Sequence, residues 1–279
     1  MDSIGNGVKG TVFYKMSGSG NDFVILDGRH VTAADWPAER IVALCDRRHG
    51  VGADGLVILT PEGDRRVRMD FWNCDGSQAD MCGNAALCST RLAAFLELAP
   101  RQDMLLVTRA GTFPARCRPK GEDAELNLPD FELPGSPSSV ALKPGEAGGM
   151  LATVGVPHLV LEVSDIERPG LMERGRELRF DPAFGPAGAN VNFVTRASES
   201  AGQWRLRTYE RGVEGETLAC GTGAVAAAVM LARFGRAKLP VDVLTRGGKI
   251  LHITATLSDR KATDVWLSGE GRLVFTGVL

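Results

Sequence analysis

Two stretches decide the fold: Met81-Cys82-Gly83-Asn84-Ala85-Ala86 and, far downstream, Ala219-Cys220-Gly221-Thr222-Gly223-Ala224. In each, a cysteine and a glycine open a proline-free run of small and apolar residues of helical length. The match extends outward on both sides. Arg68-Met69-Asp70-Phe71-Trp72-Asn73 precedes the first cysteine at the distance at which Leu206-Arg207-Thr208-Tyr209-Glu210-Arg211 precedes the second. Thr108-Arg109-Ala110-Gly111 follows the first as Thr245-Arg246-Gly247-Gly248 follows the second, at nearly the same offset. Such self-similarity means two related halves, each placing one thiol at the start of a helix.

The first helix is predicted over 84–98 and the second over 224–232, with Gly235 as its stop. Both are apolar on nearly every side, and a helix of that kind has to be surrounded by protein. The flanking segments alternate as strands do; in 67–73, for instance, Met69 and Phe71 share one face and Asp70 and Trp72 the other. The expected fold is therefore α/β (α+β). It comprises two similar domains, each a curled, mostly antiparallel sheet wrapped round a central apolar helix, related by pseudo-two-fold symmetry. The stretch 129–144, with Pro129, Pro134, Pro137 and Pro144 among serines, is the natural boundary. Residues 12–27 read as strand, tight turn and strand around Ser17-Gly18-Ser19-Gly20-Asn21. That loop lacks the Lys-Ser/Thr ending and following helix of a phosphate-binding loop. Val156-Pro157-His158 reads as a turn.

The chain has 279 residues, 44% hydrophobic and 24% charged, the profile of a globular protein with an ample core. A net charge of −2 gives no reason to expect nucleic acid or an anionic membrane as partner. The first ten residues hold no apolar signal-peptide core, and the most apolar run, 224–232, is too short to span a bilayer. A cytoplasmic location is the expectation. Cysteines stand at 45, 74, 82, 88, 117 and 220; a reducing compartment disfavours disulfides, and neither a Cys-x-x-Cys pair nor zinc-like histidine spacing is present. No metal is expected.

A thiol has an ordinary pKa of about 8.5, and a helix N-terminus favours the thiolate through its partial positive charge and unpaired N–H groups. Glycine beside the sulfur leaves those donors open to a carboxylate. One such site suggests a nucleophile or redox thiol. Two, on related halves able to face each other, suggest acid–base chemistry at a carbon: a thiolate on one face removes the α-hydrogen, and a thiol on the other returns a proton with inverted geometry. Cys82 and Cys220 are the candidate catalytic pair. Cys45, Cys74, Cys88 and Cys117 read as ordinary small apolar residues.

At these residues the chain resembles the diaminopimelate epimerase family over almost its whole length. The matching stretches include Gly20-Asn21-Asp22-Phe23, His49-Gly50-Val51-Gly52-Ala53-Asp54-Gly55, Asn73-Cys74-Asp75-Gly76-Ser77 and Met81-Cys82-Gly83-Asn84. Asn190-Val191-Asn192-Phe193, Tyr209-Glu210-Arg211-Gly212 and Gly215-Glu216-Thr217-Leu218-Ala219-Cys220-Gly221-Thr222-Gly223 complete them. The resemblance implies domains 1–130 and 131–268, with the C-terminal strand 269–279 returning to the first. It implies cofactor-independent conversion of LL- to meso-2,6-diaminoheptanedioate in lysine and peptidoglycan precursor biosynthesis. Cys82 and Cys220 would be the acid–base thiols; Gly83, Asn84, Gly221 and Thr222 would hold the reacting carboxylate. Asn21, Asn73, Asn192, Glu210 and Arg211 would hold the rest of the substrate, with His158 and Glu210 tuning the thiols. The implied partner is a small-molecule amino acid, with a homodimer left open.

Three residues depart from the family pattern: Val156 before Pro157 where Asn is usual, Leu87 where Arg often closes the first motif, and Gly55 where Gln often follows Asp54. None is a thiol; they bear on how the distal half of a substrate is held. Two other readings fit the paired thiols. One is a related racemase acting on proline, hydroxyproline or histidine, which an apolar distal pocket beside Val156 would favour. The other is a non-catalytic thiol switch, which would show no deuterium wash-in.

Overall fold

In the computed structural model, which describes residues 10–119, 121–133, 140–197 and 203–279, β1 (Val12–Gly18) and β2 (Asn21–Asp27) form an antiparallel hairpin. Ser19 and Gly20 join them with φ of 54° and 109°, the left-handed pair whose twist matches that of the strands. After α1 (Ala38–Cys45) come β3 (Gly55–Pro61), β4 (Arg66–Asn73), β5 (Gln78–Ala79), α2 (Gly83–Phe95), β6 (Met104–Thr108), β7 (Gly111–Cys117) and β8 (Asp123–Leu128). The chain continues through β9 (Phe131–Glu132), β10 (Glu146–Val154), β11 (Val156–Val163), α3 (Leu171–Arg179), β12 (Asn190–Arg196), β13 (Gln203–Glu210) and β14 (Gly215–Thr217). Last are α4 (Gly221–Arg233), β15 (Val241–Leu244), β16 (Ile250–Leu257), β17 (Lys261–Glu270) and β18 (Arg272–Val278). Pro134 and Pro137 of the expected boundary lie outside the described residues.

Two compact units result, Met1–Leu126 with Gly269–Leu279, and Asn127–Ser268. Their strand pairings repeat. In the first, β1–β2 is antiparallel, β2–β3 parallel, β3–β4 antiparallel, β4–β6 parallel and β6–β7 antiparallel. In the second, β10–β11, β11–β12, β12–β13, β13–β15 and β15–β16 follow the same order of senses. β18 lies antiparallel along β1, Val12 opposite Val278, so the last strand belongs to the first unit.

Each sheet closes on its helix. α2 packs against β1, β2, β3, β4, β6, β7 and β18, and α4 against β10, β11, β12, β13, β15 and β16. Enclosure on all sides is why the helices are alanine-rich: Ala85, Ala86, Ala93, Ala224, Ala226, Ala227 and Ala228 are fully buried, and bulkier residues would push the strands away. At Gly18 a β-carbon would stand 2.8 Å from the Asn84 carbonyl oxygen and 2.9 Å from Cys88 Sγ, so strand and helix approach as closely as a glycine permits.

The helix limits differ from those expected. α2 ends at Phe95, and the Leu98 N–H reaches back to the Ala93 carbonyl at 2.8 Å, with Glu97 left-handed at φ 57°. α4 starts at Gly221 and ends at Arg233; the Arg236 N–H bonds the Leu231 carbonyl at 2.8 Å, with Gly235 at φ 68°. These are the same C-terminal motif, filled by glutamate once and glycine once. The turn expected at Val156-Pro157-His158 sits instead at Gly155 (φ 71°), with Val154 opposite Val156 and Pro157 within β11.

If the second sheet leaves no spare room around α4, Ala227→Leu should cost about 1–3 kcal/mol in urea unfolding followed by circular dichroism. An unchanged midpoint would mean the strands yield.

Candidate active site

Both sequence-predicted thiols are helix N-caps. Cys82 has φ −138° and ψ 123°, and its carbonyl accepts the Ala86 N–H at 2.9 Å. Cys220 has φ −125° and ψ 106°, and its carbonyl accepts the Ala224 N–H at 2.9 Å. The extended backbone at the cap sets each sulfur beside the first-turn N–H groups and the positive end of the helix. Gly83 and Gly221 are the first helical residues, Asn84 and Thr222 the second. Cys220 Sγ lies 3.8 Å from Thr222 Oγ1.

The other thiols stand elsewhere. Burial pushes Cys45 up to about 12, and Cys88, wholly enclosed inside α2, is raised well above the ordinary thiol range for the same reason. Cys117 is buried with its Sγ 3.7 Å from the Thr90 carbonyl, and Cys74 is exposed on the loop after β4.

In the first unit a chain of side-chain bonds leads to the start of α2. Asn84 Nδ2 donates to Asn21 Oδ1 at 2.7 Å, and Asn21 Nδ2 donates to Asp54 Oδ2 at 2.8 Å. Asp54 is held in turn by Arg47 at 2.6 Å, and Arg47 also pairs with Asp22 at 2.6 Å. Lys15 pairs with Asp22 at 2.5 Å and donates to the Gly52 carbonyl. Burial alone would raise Asp22; the hydrogen bonds and charges of Arg47 and Lys15 outweigh it and hold the carboxyl below its usual range. Asn73 ends β4 opposite Gly55 and donates from Nδ2 to Ser77 Oγ at 3.0 Å. A β-carbon at Gly55 would strike the Trp72 carbonyl oxygen and stand 2.6 Å from Phe71 Cε2, so the glutamine usual in the family has no room on this backbone. Leu87 is a fully buried core residue of α2.

In the second unit His158, on β11, and Asn192, on β12, are both fully buried. Asn192 Nδ2 lies 3.2 Å from His158 Nδ1 and 3.1 Å from the Leu159 carbonyl, and its Oδ1 accepts from Thr208 Oγ1 at 2.9 Å. Burial, then the charge of Arg211, lowers His158 to about 3, so the imidazole is neutral. Glu210 closes β13; burial raises its pKa, opposed by a hydrogen bond from Thr217 Oγ1 at 2.7 Å. The backbone N–H of Arg211 is held by Asn190 Oδ1 at 2.7 Å. Sequence reasoning does not single out Asp54, Asn190, Thr208 or Thr217 as site residues, though all but Thr208 lie inside the motif stretches quoted for the family.

Fold and paired caps together define a class: proteins built from two like α/β halves, each offering a cysteine at the head of an enclosed helix. Solved structures share the fold. A PhzF-family phenazine biosynthesis protein from Bacillus anthracis superposes with a TM-score of 0.68 at 13% identity, covering 98% of this chain and 99% of that one. A hydroxyproline epimerase from Agrobacterium vitis gives 0.65 at 19% identity, covering 97% and 92%. The sequence model of the diaminopimelate epimerase family matches residues 13–128 and 150–267. Diaminopimelate epimerases from Gemmatimonas aurantiaca and Aquifex aeolicus are 42% and 39% identical, over 95% and 96% of this chain and 98% and 97% of their own lengths. The chain belongs to the diaminopimelate epimerase family.

A histidine held at about 3 when folded and titrating near 6.5 when unfolded binds more protons unfolded between those values. Its contribution to stability is therefore complete above pH 6.5 and is lost as pH falls towards 3. His158→Gln should remove that slope, so the advantage of the unsubstituted protein in urea-unfolding free energy should be smaller at pH 4 than at pH 7. Parallel pH profiles would contradict the buried neutral imidazole.

Proposed function

We propose that the chain epimerises LL-2,6-diaminoheptanedioate to the meso form without a cofactor, as a step in lysine and peptidoglycan precursor biosynthesis in the cytoplasm. The observation that carries this reading is the repeated cap: in a member of this family, Cys82 and Cys220 occupy the same backbone position on equivalent helices of two like units. In this reading one sulfur removes the α-proton and the other delivers a proton to the opposite face. Gly83, Asn84, Gly221 and Thr222 supply first-turn N–H groups for the reacting carboxylate, and the two positive helix ends stabilise the carbanionic charge as it develops.

Asn21 and Asn73 serve the substrate from the first unit, and Glu210 and Arg211 from the second; Asn192, expected to join them, is fully buried with its amide held by His158, the Leu159 carbonyl and Thr208, and acts through His158. Arg211 suits the distal carboxylate as a planar, two-pronged donor. His158 and Glu210 tune the thiols: a neutral imidazole adds no charge, and a carboxyl raised by burial is the more readily protonated. No helix among the described residues is long and apolar enough to cross a membrane, and the reading needs only a small-molecule substrate as partner.

Incubation with LL-2,6-diaminoheptanedioate in deuterated water should place deuterium at one α-carbon as the meso isomer forms. Cys82→Ala and Cys220→Ala should each abolish epimerisation, by more than about 10³-fold, with the circular dichroism spectrum unchanged. Full activity in either variant would end the two-thiol mechanism, and wash-in with proline or hydroxyproline alone would move the assignment to another racemase.

A further inference from the structure

The Asn192 side chain is fully committed, and the identity of its partners fixes its orientation. The Leu159 carbonyl oxygen, 3.1 Å away, can only accept, so the atom facing it is the amide nitrogen. The other atom is then the oxygen, and it takes the Thr208 hydroxyl proton at 2.9 Å. The second hydrogen of the same nitrogen points at His158 Nδ1, 3.2 Å away. A donor opposite Nδ1 requires a lone pair there, which leaves the ring proton on Nε2. An imidazolium would set two N–H groups against each other at this contact.

We infer that Thr208 and Asn192 are positioning residues that lock His158 as the Nε2–H tautomer, so that it presents a hydrogen-bond donor and no base. Nε2 is buried and has no partner among the described residues, an arrangement that favours arrival of an acceptor. The glycine of the second cysteine motif belongs to the same device. A β-carbon at Gly223 would collide with Asn192 Oδ1 and stand 3.1 Å from Cys220 Sγ, so the first turn of α4 rests directly on the amide. Thr208, opposite Asn192 in the β12–β13 pairing, thus reaches the imidazole through one intermediary. The importance of this lock for turnover rests on the proposed epimerase activity; the tautomer itself does not.

The test uses the full chain carrying His30→Asn, His49→Asn and His252→Asn, which leaves His158 as its one imidazole. Two-bond proton–nitrogen correlation at neutral pH should show an unprotonated Nδ1 and a protonated Nε2. A protonated Nδ1 would overturn the inference without any further variant. Asn192→Asp should move the proton to Nδ1, because a carboxylate there accepts; an unchanged tautomer would also overturn it. Thr208→Val should lower kcat about tenfold, the worth of one buried hydrogen bond, with KM nearly constant, and Thr208→Ser should restore it. Equal loss in the valine and serine variants would assign Thr208 a merely structural part. The expected spectrum from a chain without epimerase activity would sink the proposed function and leave the lock standing.

Discussion

Enclosure of a helix that has no polar face is the constraint from which the rest follows. α2 and α4 can be covered only by strands on every side, so each sheet must curl, and each must run out where its helix begins. The N–H groups that such a helix cannot pair within itself lie in its first turn. A residue at the cap is therefore placed by the core itself, with the backbone extended and the side chain beside a positive end. Cysteine at that position is anchored by the buried helix it opens.

The two units keep one backbone plan and diverge in the polar layer around the cap. On the first, amide is bonded to amide, Asn84 to Asn21, and two carboxylates and two cations complete the chain. On the second, a threonine, an amide and an imidazole occupy the corresponding depth, and a carboxyl is buried beside a hydroxyl. The first layer is ionic and partly exposed; the second is built on buried hydrogen bonds, with burial raising the Glu210 carboxyl and the charge of Arg211 acting on His158. Equivalent backbone positions thus carry unlike polar surroundings in the two units.

The repeat, the two enclosed helices and the caps are legible because each rests on local sequence: a Cys-Gly start, an apolar run and a stop. The apolar pattern carries α2 three residues too far because Glu97 adopts the left-handed conformation that Gly235 supplies in the other half. Val156-Pro157 resembles a bend, while only the glycine before it can take φ 71°, so the turn lies at 155. Asp54 and Thr208 stay hidden for a different reason. Their parts depend on cross-strand register, Phe23 opposite Gly55 in β2–β3 and Asn192 opposite Thr208 in β12–β13, and a motif read along the chain carries no register.

The returning strand has a consequence for synthesis on the ribosome. β1 precedes every other described strand in the chain, yet the neighbour it pairs with beyond β2 is β18, which follows all of them. The unit Asn127–Ser268 is one contiguous stretch of chain, whereas the other lacks an edge strand until β18 has been made behind the whole of it. A growing polypeptide therefore exposes that edge to chaperones or to aggregation for as long as the intervening unit takes to be made.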